Sequence, residues 1–283
     1  MKILLTGADG FTGRHFAQRA QAAGHEVVAV RSDLTQAEAV AREVASTPAD
    51  AAVHLAAIAF VGHANERAFY DVNLFGTLNL LRALKLTGRR WRKVLLASSA
   101  NVYGNSMESP ITEAHVPAPV NHYAMSKLAM EHMARAGYRE LPLVITRPFN
   151  YTGPGQASEF VIPKLVDHFR DRLGTIAMGN LHVEREYNDV RFVCEAYLRL
   201  LADENTSGTY NVCTGRPYSI DDALALLQKL TGHRVEVTVD PAFVRTNEVH
   251  TLCGDPARLQ QAIGAVPAYS LEDTLQWMLA APQ

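Results

Sequence analysis

The chain has 283 residues, 48% of them hydrophobic and 20% charged, which is ordinary globular composition and length enough for two cooperating lobes. Its 27 lysines and arginines against 29 aspartates and glutamates give a formal net charge of -2, which argues against a nucleic-acid partner while leaving room for a small anion held by a few placed arginines. Cys194, Cys213 and Cys253 lie far apart with no CxxC pair, so no metal signature is expected, and no apolar run has signal-peptide or membrane-span length, so a cytoplasmic protein without membrane contact is expected.

The first half alternates short apolar runs with helical patterns. Strands are predicted at Ile3 to Thr6, Glu26 to Val30, Ala51 to Leu55, Lys93 to Ala97 and Leu143 to Thr146. Helices are predicted at Arg14 to Ala23, Ala37 to Ala45, Glu66 to Leu86 and Tyr123 to Ala136. The short distance from Val30 to Ala37 leaves no room for a full strand there. After Pro148 the alternation is lost, although a helix around Val190 to Leu201 and a strand at Thr209 to Val212 repeat the pattern of the first half. The predicted fold is α/β: a Rossmann-like doubly wound parallel sheet with a smaller α+β substrate-binding lobe. The expected division is residues 1–150 plus about 186–214 for the dinucleotide and 151–185 plus 215–283 for the second lobe.

Gly7-Ala8-Asp9-Gly10-Phe11-Thr12-Gly13 links the first strand to the first helix. Glycines there permit a tight turn and close backbone approach to a pyrophosphate, and the helix N-terminus offers N–H donors. The residues after the second strand choose the dinucleotide. Arg31 suits a 2′-phosphate and predicts NADPH over NADH, with NAD possible. Asp33 and Leu34 are expected where the chain passes the adenine; capping of the next helix by Asp33 is the alternative.

Tyr123 and Lys127, four apart on one helix, share a face. A nearby ammonium is expected to lower the phenol pKa from about 10 and to make Tyr123 an acid or base near neutral pH. Ser99 closes a strand that ends in hydroxyl residues, where parallel sheets bind ligands. His54, His63 and His122 have no zinc-like spacing and read as solvated or hydrogen-bonded side chains.

The glycine turn, His54-Leu55-Ala56-Ala57, the run from Asn73 to Leu81, Ser98-Ser99 with Val102-Tyr103-Gly104, and Tyr123-x-x-x-Lys127 together resemble the extended short-chain dehydrogenase/reductase family. The resemblance implies a catalytic set of Ser99, Tyr123 and Lys127. It also implies cofactor contacts from Gly7, Asp9, Gly10, Phe11, Thr12, Gly13, Leu55, Ala56, Ala57, Asn73, Pro148 and the same Tyr123 and Lys127. It makes Asn73 a candidate support for a water relay to Lys127, a buried amide bonded to backbone being the alternative. The segments 146–156, 184–190 and 245–256 further resemble the GDP-mannose 4,6-dehydratase and GDP-4-keto-6-deoxy-mannose reductase branch. That branch implies a nucleotide-diphosphate sugar embraced by Asn150, Arg185, Arg245 and Glu248, with Val161 and Lys164 in a base pocket, an ordinary amphipathic helix start being the alternative for the last two. Forked arginines suit phosphate oxygens.

Dehydratases of this branch carry a glutamate where Asn101 stands here, and an amide cannot return a proton as a carboxylate does. A 4-keto reductase is therefore expected. A 4-epimerase, a 4,6-dehydratase and a non-catalytic dinucleotide-binding module are the alternatives. The resemblance also implies a homodimer packed through the Glu66–Leu86 and Tyr123 helices, a core-facing stripe on those helices being the alternative.

Overall fold

The computed structural model describes residues 1–240 and 250–282. Elements run in the order β1 (Lys2–Thr6), α1 (Phe11–Ala22), β2 (Glu26–Val30), α2 (Ala37–Ser46) and β3 (Ala51–His54). A continuous helical rod follows: α3 (Glu66–Ala68), a π-helical segment (Phe69–Gly76) and α4 (Thr77–Leu86). Next come β4 (Lys93–Ala97), a 3-10 turn (Ala100–Tyr103), α5 (His122–Gly137), β5 (Leu143–Pro148), β6 (Tyr151–Thr152) and α6 (Val161–Arg170). The chain continues through β7 (Thr175–Met178), β8 (Glu184–Glu186), β9 (Asn188–Asp189), α7 (Val190–Ala202) and β10 (Gly208–Val212). The last elements are β11 (Pro217–Tyr218), α8 (Ile220–Thr231), β12 (Glu236–Val239), β13 (Thr251–Leu252), α9 (Ala257–Ile263) and α10 (Leu271–Ala280).

Six strands form one sheet in the order β10-β5-β4-β3-β1-β2, every pair parallel. Helices cover both faces, which is why the strands read as continuous apolar runs. Period-two alternation divides the core. Ile3, Leu5, Val53, Leu95 and Val144 face α1 and α7, packing on Phe16, Val193 and Tyr197. Leu4, Ala52, Val94, Leu96 and Ile145 face α2, α4 and α5, packing on Val40, Leu81 and Met130. The predicted Rossmann-like sheet is thus present. No strand occurs from Arg31 to Gln36, so β2 is an edge strand, as the spacing after Val30 predicts.

The direction of winding reverses between β1 and β3, which lie side by side although β2 follows β1 in sequence. The crevice at the carboxyl ends of such a pair is where open α/β sheets take ligands. A second core, with Ile162, Leu165, Phe169, Ile176, Leu227 and Leu275, gathers α6, α8, α10 and the parallel pair β7–β12. A small sheet, β11-β8-β13, carries Arg185 on its central strand.

Candidate active site

The glycine turn sits in that crevice. Gly7 has φ +71°, and a Cβ on it would lie 2.6 Å from the Ala56 nitrogen. A Cβ on Gly13 would collide with the Gly7 carbonyl oxygen. Glycine is required at both positions by contact, and at Gly7 by conformation as well. Gly10 N–H donates to the Gly7 carbonyl at 3.1 Å, closing the turn. No side chain caps α1, so its first-turn N–H groups face the crevice beside the Leu55–Ala57 segment. An uncapped helix start beside a cradle that cannot hold a Cβ fits a dinucleotide pyrophosphate.

The end of β2 supplies the adenine side. Glu43 accepts from the Arg31 and Ser32 nitrogens, both at 2.8 Å, and so fixes this turn. The Arg31 guanidinium pairs with Asp9 of the glycine turn, with both side chains largely exposed. Asp33 does not cap α2: its carboxylate accepts from Thr35 N and Oγ1, both at 2.9 Å, and the cap position is Gln36. Leu34 is buried in the helix-side core and lies under Gly76, so its side chain is packing; its carbonyl accepts from Asn79 Nδ2 at 2.9 Å.

Behind the cradle runs a buried chain of hydrogen bonds. Thr77 Oγ1 donates to the Asn73 carbonyl at 2.7 Å, so His54 Nε2–H must be the donor to Thr77 at 2.7 Å. His54 Nδ1 is then the acceptor for Thr6 Oγ1 at 2.6 Å, and Thr6 in turn accepts from Ala56 N at 3.2 Å. Burial, and secondarily the Lys127 ammonium, push the His54 pKa down to about 3, so the ring is neutral. The hydrogen-bonded reading of His54 holds.

Ser99, Tyr123 and Lys127 meet at the carboxyl end of β4. Ser99 begins the 3-10 turn, accepting from Asn101 N at 3.2 Å. Asn121 caps α5 by accepting from Ala124 N at 2.8 Å, which fixes where Tyr123 enters the helix. Tyr123 is buried against the edge of Phe69. Lys127 is buried too and donates from Nζ to the Ala97 carbonyl at 2.8 Å. Here the expectation of an acidified phenol is corrected. Burial raises the Tyr123 pKa, and a hydrogen bond with Ser99 opposes the rise only in part. The ammonium is directed at a backbone carbonyl, and its own pKa is pushed down to about 8 by burial, against the pull of Glu131.

Asn73 is fully buried in the π-helical segment. Its amide accepts from Ile58 N at 2.9 Å and donates to Ile58 O at 3.1 Å and Ser126 Oγ at 3.2 Å. It is a buried amide clamping the backbone of the loop after β3, and no bond joins it to Lys127, so the water-relay role has no direct contact behind it. Single π turns gather at functional sites because they re-aim one side chain.

The second-lobe candidates within the described residues lie on several separate elements. Pro148 ends β5, paired with Val212, and Asn150 follows with an exposed side chain. Val161 opens α6, packed on the second core. Lys164 donates to the Ala177 carbonyl at 2.9 Å, which ties it to β7. Arg185 donates to the Glu184 carbonyl at 2.7 Å. Arg245 and Glu248 lie outside the described residues.

Among the described residues, the buried acids that the sequence did not single out include Glu131 and Glu186. Glu131 lies on the Lys127 face of α5 and takes a forked pair from Arg147 at 2.9 and 2.7 Å. Glu186 accepts from Thr214 N at 2.8 Å, Gly254 N at 2.7 Å and Asn188 Nδ2 at 3.0 Å, which joins β8 to the ends of β10 and β13.

A glycine cradle at the switch point of a parallel sheet, with serine, tyrosine and lysine converging beside it, defines an enzyme site of the short-chain dehydrogenase/reductase kind. A sequence profile described as GDP-mannose 4,6 dehydratase matches residues 28–278. GDP-6-deoxy-D-talose 4-dehydrogenase of Aggregatibacter actinomycetemcomitans is 35% identical over 269 residues, 93% of this chain and 92% of the relative. GDP-6-deoxy-D-mannose reductase of Pseudomonas aeruginosa is 35% identical over 298 residues, 99% of this chain and 96% of the relative. Among solved structures, RMD from Pseudomonas aeruginosa complexed with NADPH superposes with a TM-score of 0.90 at 32% identity, covering 99% of this chain and 97% of that one. A protein of Burkholderia cenocepacia J2315, provisionally described as an epimerase, gives a TM-score of 0.93 at 43% identity over 98% of this chain and 96% of that one. The chain belongs to the GDP-mannose 4,6-dehydratase family, within the extended short-chain dehydrogenases/reductases. Among the described residues no helix is long and apolar enough to cross a membrane, and no acid, histidine and cysteine cluster suits a metal.

Proposed function

We propose that this protein is an NADPH-dependent oxidoreductase that reduces the C4 keto group of a nucleotide-diphospho-4-keto-6-deoxy-sugar, with a GDP-linked hexose as substrate. The observation that carries this reading is the pair of relatives at 35% identity over nearly the whole chain, both named for oxidoreduction of a GDP-linked 6-deoxyhexose. Asn101 agrees with it: its backbone N–H braces Ser99, and its amide side chain stands where the dehydratase acid would be.

When bound, the nicotinamide supplies the hydride that reduces the ketone. Tyr123 gives its phenolic proton to the C4 oxygen as negative charge develops there, and Ser99 orients that oxygen. A phenol kept protonated by burial is in the correct form for this step. Lys127, held by the Ala97 carbonyl, places a positive charge next to the site and lies within reach of the nicotinamide ribose in this reading. Arg31 would receive the 2′-phosphate, exchanging Asp9 for it. The dinucleotide is assigned to residues 1–150 with 186–214, and the sugar nucleotide to 151–185 with 215–283, where Asn150, Val161, Lys164, Arg185, Arg245 and Glu248 are its candidate contacts. Exposed Phe75, Met125 and Met133 on the π segment and α5 support a homodimer through those helices, which light scattering in solution tests.

The deciding experiment supplies GDP-4-keto-6-deoxy-mannose and follows absorbance at the reduced-nicotinamide band. One NADPH consumed per product, with NADH weaker, is the expected result. A UDP-sugar 4-epimerase is the second reading, favoured by epimerase relatives at 25% and 26% identity across 99% of this chain. Tightly held NAD with no net consumption would select it and refute the reductase.

A further inference from the structure

The first turn of α1 does more than complete a glycine cradle. Thr12 Oγ1 and Tyr151 Oη share a hydrogen bond of 2.8 Å. Phe11 stacks on the same tyrosine, with ring centroids 6.0 Å apart and planes 18° from parallel. His15 Nε2–H donates to the Pro154 carbonyl at 2.8 Å, and Arg14 Nη2 donates to the Gly155 carbonyl at 3.0 Å. Residues 11–15 therefore grip residues 151–155 directly after Asn150. Tyr151 and Thr152 pair with Asn188 and Asp189, and Asn188 N donates to the Asn150 carbonyl at 2.9 Å, so the held segment is also the frame of Asn150.

We propose that Thr12 and Tyr151 are positioning residues that couple occupancy of the dinucleotide cradle to the order of the Asn150 loop on the sugar-nucleotide side. The backbone N–H of Thr12 belongs to the uncapped first turn and its side chain to the latch. An anion drawn to that turn fixes the Thr12 backbone, and through it one rotamer of Thr12 and the ring of Tyr151. The second ligand then meets a loop that has already lost its freedom, and the entropy of ordering it is not charged again. By linkage, the sugar nucleotide tightens dinucleotide binding to the same degree. Burial supports the arrangement by keeping the Tyr151 hydroxyl protonated and able to donate. Only the identity of the second ligand rests on the function proposed for the site.

Amide hydrogen exchange tests the latch without any sugar nucleotide. Saturating NADPH should slow exchange at residues 150–153 and 155–156 of the wild type by about fivefold or more, the lower end of typical coupling between sites. In Tyr151→Phe and Thr12→Val the glycine-turn amides should still be protected by NADPH while the loop no longer responds. Thr12→Ser, which keeps the hydroxyl, should restore the response. A second readout is the ratio of GDP affinities with and without NADP+, which should approach one in Tyr151→Phe. A loop response equal to wild type in both hydroxyl-deleting variants overturns the proposal, as does no response in wild type whose glycine turn is protected. Wild-type loop protection without any GDP binding would leave the latch standing and refute the GDP-sugar reading instead.

Discussion

Two opposing influences act on Tyr123, burial raising its pKa and the Ser99 hydrogen bond lowering it, and burial prevails. The phenol therefore stays protonated at neutral pH, the form that the proposed reduction uses. Tyr123→Phe should lower kcat by about 10²- to 10⁴-fold, the usual worth of a positioned acid, with the dinucleotide Kd little changed; near-normal turnover would remove Tyr123 from the chemistry. Lys127 provides the pH signature. Its pKa of about 8 means that the ammonium is present below that value and lost above it. With the charged form as the working one, kcat/KM for the sugar should fall with unit slope as pH rises through about 8. Tyr123, raised above its ordinary value, adds no limb in that range. A flat profile to pH 9 would dissociate Lys127 from the reaction.

The spacing of four between Tyr123 and Lys127 and the run of glycines were legible because helix period and turn chemistry are local. The direction of the lysine was not. Whether an ammonium turns to a phenol or to the Ala97 carbonyl is set by β4, thirty residues away in sequence. The role of Glu186 was illegible for a similar reason: segment 184–190 carries the family resemblance, but the backbone donors that hold Glu186 come from Thr214 and Gly254.

At the scale of elements, the strands from Glu26 to Val30 and from Lys93 to Ala97 emerge at the predicted bounds, since each is a short apolar run between breakers. The stretch from Glu66 to Leu86 is helical as predicted, yet the eight residues Phe69–Gly76 within it are π-helical. A slipped backbone bond scarcely disturbs the hydrophobic pattern, so periodicity cannot reveal it. Its effect is to bring Asn73 onto Ile58 and Ser126. Asn73→Ala strands the Ile58 N–H and C=O and should cost about 1–3 kcal/mol for buried groups left unpaired. Urea unfolding measures that loss, and it should be accompanied by weaker dinucleotide binding, because the clamped loop continues from Ala56 against Gly7. Unchanged stability would show that the clamp is idle. Strand β6 went unpredicted because a two-residue strand exists only through its partner, Asn188 and Asp189.

For the molecule as a whole, the chain of buried bonds from Ala56 through Thr6, His54 and Thr77 to Asn73 ties β1, β3 and the rod together. It also imposes a pH limit on folding. His54 has a folded pKa of about 3 against an ordinary value of 6.5. Between those values the unfolded chain binds a proton that the native ring refuses, so stability declines as pH falls from 6.5 toward 3, by about 1.4 kcal/mol per pH unit at most. His54→Gln should flatten that slope by about one proton in denaturant titrations run across the window, and an identical slope would place the acid sensitivity elsewhere.

The parallel sheet and the covering helices follow from alternation along the chain, whereas the strand order and the joining of the two cores rest on contacts between distant residues such as those of Glu186. One further property follows from β2, which has a strand neighbour only on the β1 side. A free strand margin is a template on which another copy can stack, and this one is only five residues long, with Glu26 in an ion pair with Lys2 at its start and Glu43 fastening the turn beyond its end. Brevity and charge at that margin act as a guard against self-aggregation at high protein concentration, a duty that falls to them because among the described residues no outer strand shields it.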